Sequence, residues 1–296
     1  QDQRAKLKAL RNKIVQVQSD FGKNLNEYKS SVLLSSAELA GLPEDFIAAL
    51  PREGALYKIS PDYPVYIGFM ENARDPEARR KVEALFADRA ATENVPLFKE
   101  ALNLRREAAK LLGYDNHAAF VVEEQMAKTP TAVESFLARL VVALKPLGER
   151  ELAEMRAMKD LELGSKSDHH IHLWDWRYYN NQLIKARSAD KEKIKEYFPL
   201  DAVTTGMFAV YEKLLGVKFR KVDTLDPSAS WHPEATLYEI CAATGGETIA
   251  YFYMDLFPRE GKYKHIAAAF DIVHARHLAN GAYQKPVSVL VANFAK

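Results

Sequence analysis

Apolar positions recur every three or four residues along the first half of the chain. Leu7, Leu10, Ile14, Val17, Phe21 and Leu25 form one stripe over 3–29, which predicts an amphipathic helix. A turn-rich stretch follows, with Ser35 or Ser36 as the expected cap and Pro43, Pro51, Pro61 and Pro64 interrupting it. Asp75-Pro76-Glu77 predicts a helix over 76–90, because proline suits a first turn whose N–H would go unused. Helices are expected over 95–112, closed by Gly113, and over 117–126, capped by Asn116. Thr129-Pro130 opens a long helix to Leu163, with Val133, Phe136, Leu140, Leu144 and Leu147 on one face and Pro146 expected to kink or split it. Helices over 173–186 and 200–215 follow, the second stopped by Gly216.

After residue 217 the period shortens to two. In YFYMDLF at 251–257, Tyr251, Tyr253, Asp255 and Phe257 alternate with Phe252, Met254 and Leu256, the signature of a strand. Strands are expected near 236–243, 247–257, 265–272 and 286–293, with Gly245-Gly246 turning the first pair into a hairpin. Helices first and strands last predict an α+β fold, predominantly α-helical, with a small, mostly antiparallel sheet near the carboxy terminus. The polar run GSKSDHHIH at 164–172 reads as a linker between a helical lobe segment at 1–163 and a second part at 173–296. The run KPVSVLVAN at 286–294 reads as an apolar strand, and the chain is expected to expose a sizeable apolar face and to associate.

Composition narrows the function classes. With 41 basic and 40 acidic side chains in 296 residues, the chain carries no basic excess for nucleic acid. No apolar run approaches the ~20 residues that a membrane-spanning helix needs. The single cysteine, Cys241, forms no internal disulfide and fits a reducing compartment. The expected location is the cytosol, with the mitochondrion as the alternative.

Several clusters invite chemistry. His169, His170 and His172 form the densest group of imidazoles; the reading taken is a solvated linker, without a nearby carboxylate or thiol to complete a metal shell. His274 and His277 read as part of a loop between strands, and His117 as the start of a helix. Trp174, Trp176, Tyr178 and Tyr179 read as core, with Asp175 and Arg177 satisfying each other. Arg259, Lys262 and Lys264 read as a solvated turn rather than an anion site.

The segment YFYMDLFPREGKYKHIAAAF at 251–270 resembles the FYxDLxPREGKYxH block of the thimet oligopeptidase and neurolysin family of zinc peptidases. Collinear with it are NLNE at 24–27, GLPEDF at 41–46, LLGYDNHAAFVVEEQMAKTP at 111–130, WDWRYYNNQ at 174–182, KEYFPLDAVTTG at 195–206 and SWHPEATLYEI at 230–240. One departure is Lys264, where the family usually has glycine.

The resemblance implies a zinc-dependent hydrolase of short peptides, working in a channel between helical lobes. Its catalysis needs His-Glu-x-x-His on a helix, two imidazoles on one face around a general base. That pattern is absent here, so no metal ligand and no catalytic residue is expected in this chain. The start at Gln1 reads as cut or processed, and the end at VANFAK as lying ahead of the family's zinc motif. The expected partners are short peptides and the missing, zinc-bearing carboxy-terminal part. The family also implies an edge strand that pairs with substrate backbone, and His265, Ile266, Ala267 and Ala268 are its candidates, the small alanines allowing close approach. The competing reading is a truncated, non-catalytic relative that binds peptides or a protein.

Overall fold

The structure, a computed structural model, describes residues 2–187, 194, 196–223, 226–259, 261–262 and 266–294. It divides into two compact units, one of Gln1–Pro61 with Gly68–Leu183 and one of Asp62–Ile67 with Ile184–Lys296. The division falls inside a helix rather than in the polar run at 164–172.

The first unit is mainly helical. Its helices are α1 (Asp2–Glu27), α2 (Glu44–Ala49), α3 (Tyr63–Asn72), α4 (Pro76–Ala87), α5 (Ala91–Leu111), α6 (His117–Val122), α7 (Pro130–Leu163) and α8 (Leu173–Ala186), with the ends of α3 and α8 crossing into the second unit. The stripe foreseen on α1 packs on α5: Leu10 and Val17 meet Ala101, Leu104 and Ala108, with Leu7, Ile14, Leu97 and Leu111 around them. Each fully buried aliphatic side chain there contributes about 1.5–3 kcal/mol. The turn-rich region holds a three-stranded antiparallel sheet that the period did not reveal, β1 (Val32–Leu34), β2 (Arg52–Glu53) and β3 (Leu56–Ile59), in the order β1–β3–β2. At two to four residues these strands are too short for a period of two to stand out in the sequence.

Capping follows local chemistry. Asp75 accepts from the N–H groups of Glu77 and Ala78 at the start of α4, and Thr129 from Ala132 at the start of α7. The expected serine cap at 35 or 36 is corrected, because Ser36 makes no side-chain cap bond. Instead Glu38 accepts from both the N–H and the hydroxyl of Ser35, each at 2.8 Å. Pro146 does not split α7, which runs unbroken from Pro130 to Leu163. Proline removes a single donor, and Val142, one turn earlier, is largely exposed, so water can serve the carbonyl left over. Gly41, at φ 96°, lies where a Cβ would stand 2.5 Å from the carbonyl oxygen of Asn72, which only glycine allows.

The second unit carries α9 (Leu200–Leu215), stopped by Gly216 in the left-handed region, and a five-stranded sheet. The strands are β4 (Val217–Lys221), β5 (Thr236–Ala242), β6 (Thr248–Asp255), β7 (Ala267–Val273) and β10 (Val287–Ala292), in the order β4–β5–β6–β10–β7. All neighbours are antiparallel except β6 and β10. A two-residue pair, β8 (Arg276–His277) and β9 (Tyr283–Gln284), lies between β7 and β10 in sequence. Gly245 and Gly246, both at positive φ, turn β5 into β6 as their spacing predicts.

The alternation of β6 sorts two faces. Tyr251 and Tyr253 pack with Leu237, Val287, Val289 and Val291. Phe252, Met254 and Leu256 pack with Ala292 and with Leu200, Met207 and Phe208 of α9. Phe257 joins this second face, not that of Tyr251, because β6 ends at Asp255 and the period of two ends with it. The run 286–294 forms the strand expected of it, β10. β10 is an interior strand between β6 and β7, with Val289, Val291 and Ala292 buried.

Candidate substrate-binding edge

Among the described residues β7 pairs with β10 alone and so forms one edge of the sheet. Its register sets Ala267, Ala268, Ala269 and Phe270 opposite Ala292, Val291, Leu290 and Val289. Just ahead of the strand, the N–H of Asn293 donates to the carbonyl of Ile266 at 3.0 Å. Both backbone groups of a strand residue point to the same side, and the side alternates. Ile266, Ala268 and Phe270 therefore turn their backbone toward β10, and Ala269 turns its N–H and C=O outward. Ile266, Phe270 and Ile272 are about half exposed, at 50%, 54% and 46%. At the far end, Ser288 donates to Asp271 at 2.6 Å beside a bulge at Val287/Ser288. Ile266, Ala267 and Ala268 thus sit at the start of the edge, and His265 lies outside the described residues, as does Lys264.

Behind this edge stands a buried carboxylate that pattern reading passed over. Asp255 closes β6 and is 2% exposed. Arg259 donates to both of its oxygens at 2.7 Å, a bidentate pair. Trp231 Nε1 donates to Oδ2 at 2.8 Å, and Lys262 Nζ lies 2.8 Å from Oδ1. Burial alone would raise this carboxyl, but the bonds from Arg259, Lys262 and Trp231 outweigh it and hold it well below the usual carboxylate range. The same contact, bonded to Asp255, raises the Arg259 guanidinium.

The reading of Arg259 and Lys262 as a solvated turn is therefore corrected. Lys262 is buried, its ammonium also bonded to the carbonyls of Asp255, Phe257 and Ala292 at 3.0, 2.6 and 2.6 Å. A lone Lys at a turn looks solvated in sequence because the carbonyls that bind it come from strand ends that only the fold assembles.

The aromatic segment of α8 is core only in part. Tyr178 and Tyr179 are buried, whereas Trp176 is 45% exposed with Arg177 over its ring. Asp175 does not pair with Arg177. It accepts from Arg79 of α4 at 2.7 Å and from Lys159 of α7 at 2.8 Å, and all three are buried. Residues 175 and 177 point to different sides of a helix, so the expected neighbour pair is geometrically excluded. Tyr178 donates to Glu162 at 2.7 Å, and burial, then that carboxylate, pushes its phenol up.

The histidine cluster is not free of carboxylates, which corrects its sequence reading. His172 Nε2 is 2.6 Å from Asp168, and His169 Nδ1 is 3.0 Å from Asp160. Asp168 also accepts from Lys159 at 2.7 Å, and its carboxyl is held low by Lys159 first and His172 second. His277 is in the β8–β9 pair against Tyr283, and His274 lies 3.6 Å from Asp271. His117 opens α6 behind the Asn116 cap, its imidazole pushed down by burial and by Arg105. Among the described residues no three His, Cys, Asp or Glu side chains come together to hold a metal ion. The donor set a zinc site needs is therefore not assembled by them. No helix among them is long and apolar enough to cross a membrane.

A family model described as peptidase family M3 matches residues 69–296. A thimet-like oligopeptidase of Dictyostelium discoideum is 33% identical over 306 aligned residues, covering 100% of this chain and 45% of that protein. Saccharolysin of Saccharomyces cerevisiae is 33% identical over 308, covering 99% and 43%. Oligopeptidase A of Escherichia coli is 30% identical over 293, covering 91% and 42%. The chain thus spans under half the length of these curated relatives.

Proposed function

The chain belongs to peptidase family M3, and from that premise we propose that it is part of a zinc-dependent oligopeptidase, supplying channel wall and a peptide-pairing edge. The relatives named as oligopeptidases support peptides as the substrate class. The observation that carries the reading is β7 at the edge of the sheet, with Ala267, Ala268 and Ala269 leaving room beside it. A peptide laid along that edge gains main-chain hydrogen bonds regardless of its side chains, which suits an enzyme acting on many short sequences.

No step of amide hydrolysis is assigned to the described residues, because they do not fit a zinc site. In this reading the metal, which activates water in such enzymes, is held by polypeptide outside them. In this reading the described residues bind and align the peptide, and the proton is moved by groups outside them.

Two measurements test the proposal. An acetylated, amidated alanine-rich octapeptide titrated into the 296-residue chain is expected to slow amide exchange at Ala269. Metal analysis and a cleavage assay are expected to find neither bound zinc nor hydrolysis for this chain, and both for a longer polypeptide that adds the zinc-bearing part. Tight zinc and cleavage by this chain alone would overturn the division of labour. Binding without cleavage in the longer polypeptide would favour the non-catalytic relative.

A further inference from the structure

We propose that Lys262, seated by Asp255, is a positioning residue for the peptide-pairing edge, fixing β7 through the end of β10; this rests on the reading of β7 given above. The Lys262 ammonium has four oxygens within 3.0 Å: the carbonyls of Asp255, Phe257 and Ala292, and Asp255 Oδ1. The first two carbonyls lie at and just past the end of β6, and the third is the last residue of β10. One point charge thus ties two parallel neighbours together where their ladder stops. Beyond it the N–H of Phe294 donates to Leu256 at 2.9 Å, and the N–H of Asn293 donates outward to Ile266 at 3.0 Å. The order of attachment is Asp255, Lys262, Ala292, Asn293 and Ile266.

Among the described residues β7 has no second strand to hold its place, so it inherits its position from β10. β10, in turn, is held at this end by Lys262. Asp255 cannot shift to follow, since Arg259 grips both oxygens and Trp231 donates to Oδ2. Ala267 to Ala269 lack bulky side chains that could lock the strand by packing, which leaves backbone attachment as the means of alignment. A compact ammonium suits three carbonyls that converge on one point, whereas a planar guanidinium does not.

Lys262→Met and Lys262→Arg in the 296-residue chain test this, with Met207→Ala as a control that loosens α9 packing on the same sheet. Amide exchange at Ile266, Ala268 and Phe270, whose backbone faces β10, is expected to quicken about tenfold or more in both Lys262 variants, with β4 and β5 unchanged. Affinity for the acetylated octapeptide is expected to fall by about tenfold in both, and to stay within about twofold in the control. An equal fall in the control would reduce Lys262 to a structural role and overturn the proposal, as would unchanged exchange at Ile266, Ala268 and Phe270. Should the unaltered chain bind no peptide, the reading of β7 fails, and the exchange comparison still decides the positioning claim. If Lys262→Met does not fold, Asp255→Asn takes away the charge that faces the same ammonium while leaving its three carbonyls, and quicker exchange confined to the same amides is expected.

Discussion

Asp175 in the first unit and Asp255 in the second are both buried carboxylates held by two cations, yet they do different work. The partners of Asp175 lie 96 and 16 residues away, on α4 and α7, and it ties those helices to α8. Two partners of Asp255 lie 4 and 7 residues away, on the turn that follows it, and the third, Trp231, lies 24 residues back. The first arrangement is a junction of distant elements; the second is a clamp on a strand end. Removing a member of the junction leaves an uncompensated charge at the meeting point of three helices. Removing a member of the clamp frees one end of a sheet whose core remains.

The largest expected effect follows from Arg79. Its guanidinium serves Asp175, the carbonyls of Ala73 and Arg74, and the carbonyl of Trp174, and the Arg79 and Asp175 side chains have almost no exposure. Arg79→Met should cost the first unit about 3–5 kcal/mol, the usual penalty for breaking a buried pair. Urea unfolding followed by exchange at α4 and α8 amides measures it. A loss below about 1 kcal/mol would mean that Lys159 alone satisfies Asp175, and the contrast between junction and clamp would go.

A smaller loss is expected from Asp255→Asn. The amide keeps the shape and one acceptor, so Trp231 or Arg259 can still donate, but the charge opposite Lys262 and Arg259 is gone. About 1.5–3 kcal/mol is expected, the range for hydrogen bonds to charged groups. The change should be concentrated in β7 and β10 rather than spread through β4 and β5. Uniform loosening of the sheet would show that Asp255 supports the whole unit and is no local clamp.

The same contrast separates what could be read in sequence from what could not. Asp75-Pro76, Thr129-Pro130, Gly216 and Gly245-Gly246 were legible because each acts within about four residues, where the chain's own geometry fixes the partner. The two faces of β6 were legible because a period of two survives any topology. Asp175 was misassigned to Arg177 because adjacency in sequence is not adjacency on a helix, and its true partner, Arg79, becomes visible only once α4 meets α8. Lys262 was misread for the same reason: Ala292 is 30 residues on and reaches it only because β10 inserts parallel to β6. The edge position of β7 came from family resemblance, since AAAFDIV by itself says strand and nothing about neighbours.

Acid brings out a final, smaller contrast, between the buried Asp255 and the partly exposed clasp of Glu38 and Lys81. The Glu38 carboxyl is lowered to about 2 by Lys81 first, then by the N–H and hydroxyl of Ser35. Both carboxyls are lower in the folded chain than unfolded, so the stability each lends is complete above its unfolded value, about 4 to 4.5. It is lost as pH falls from there toward the folded value. Between pH 5 and 2 both units should therefore weaken, the second more steeply, because Asp255 is buried while Lys81 holds Glu38 in solvent, where water and salt weaken the pair. Glu38→Gln should flatten the acid slope slightly, in β1 and α4 amides only, and added salt should mimic it. Asp255→Asn should flatten the slope for β7 and β10 and be indifferent to salt. If Glu38→Gln flattens the slope as much as Asp255→Asn does, burial is not what gives the clamp its strength, and the ranking of these three sites must be redrawn.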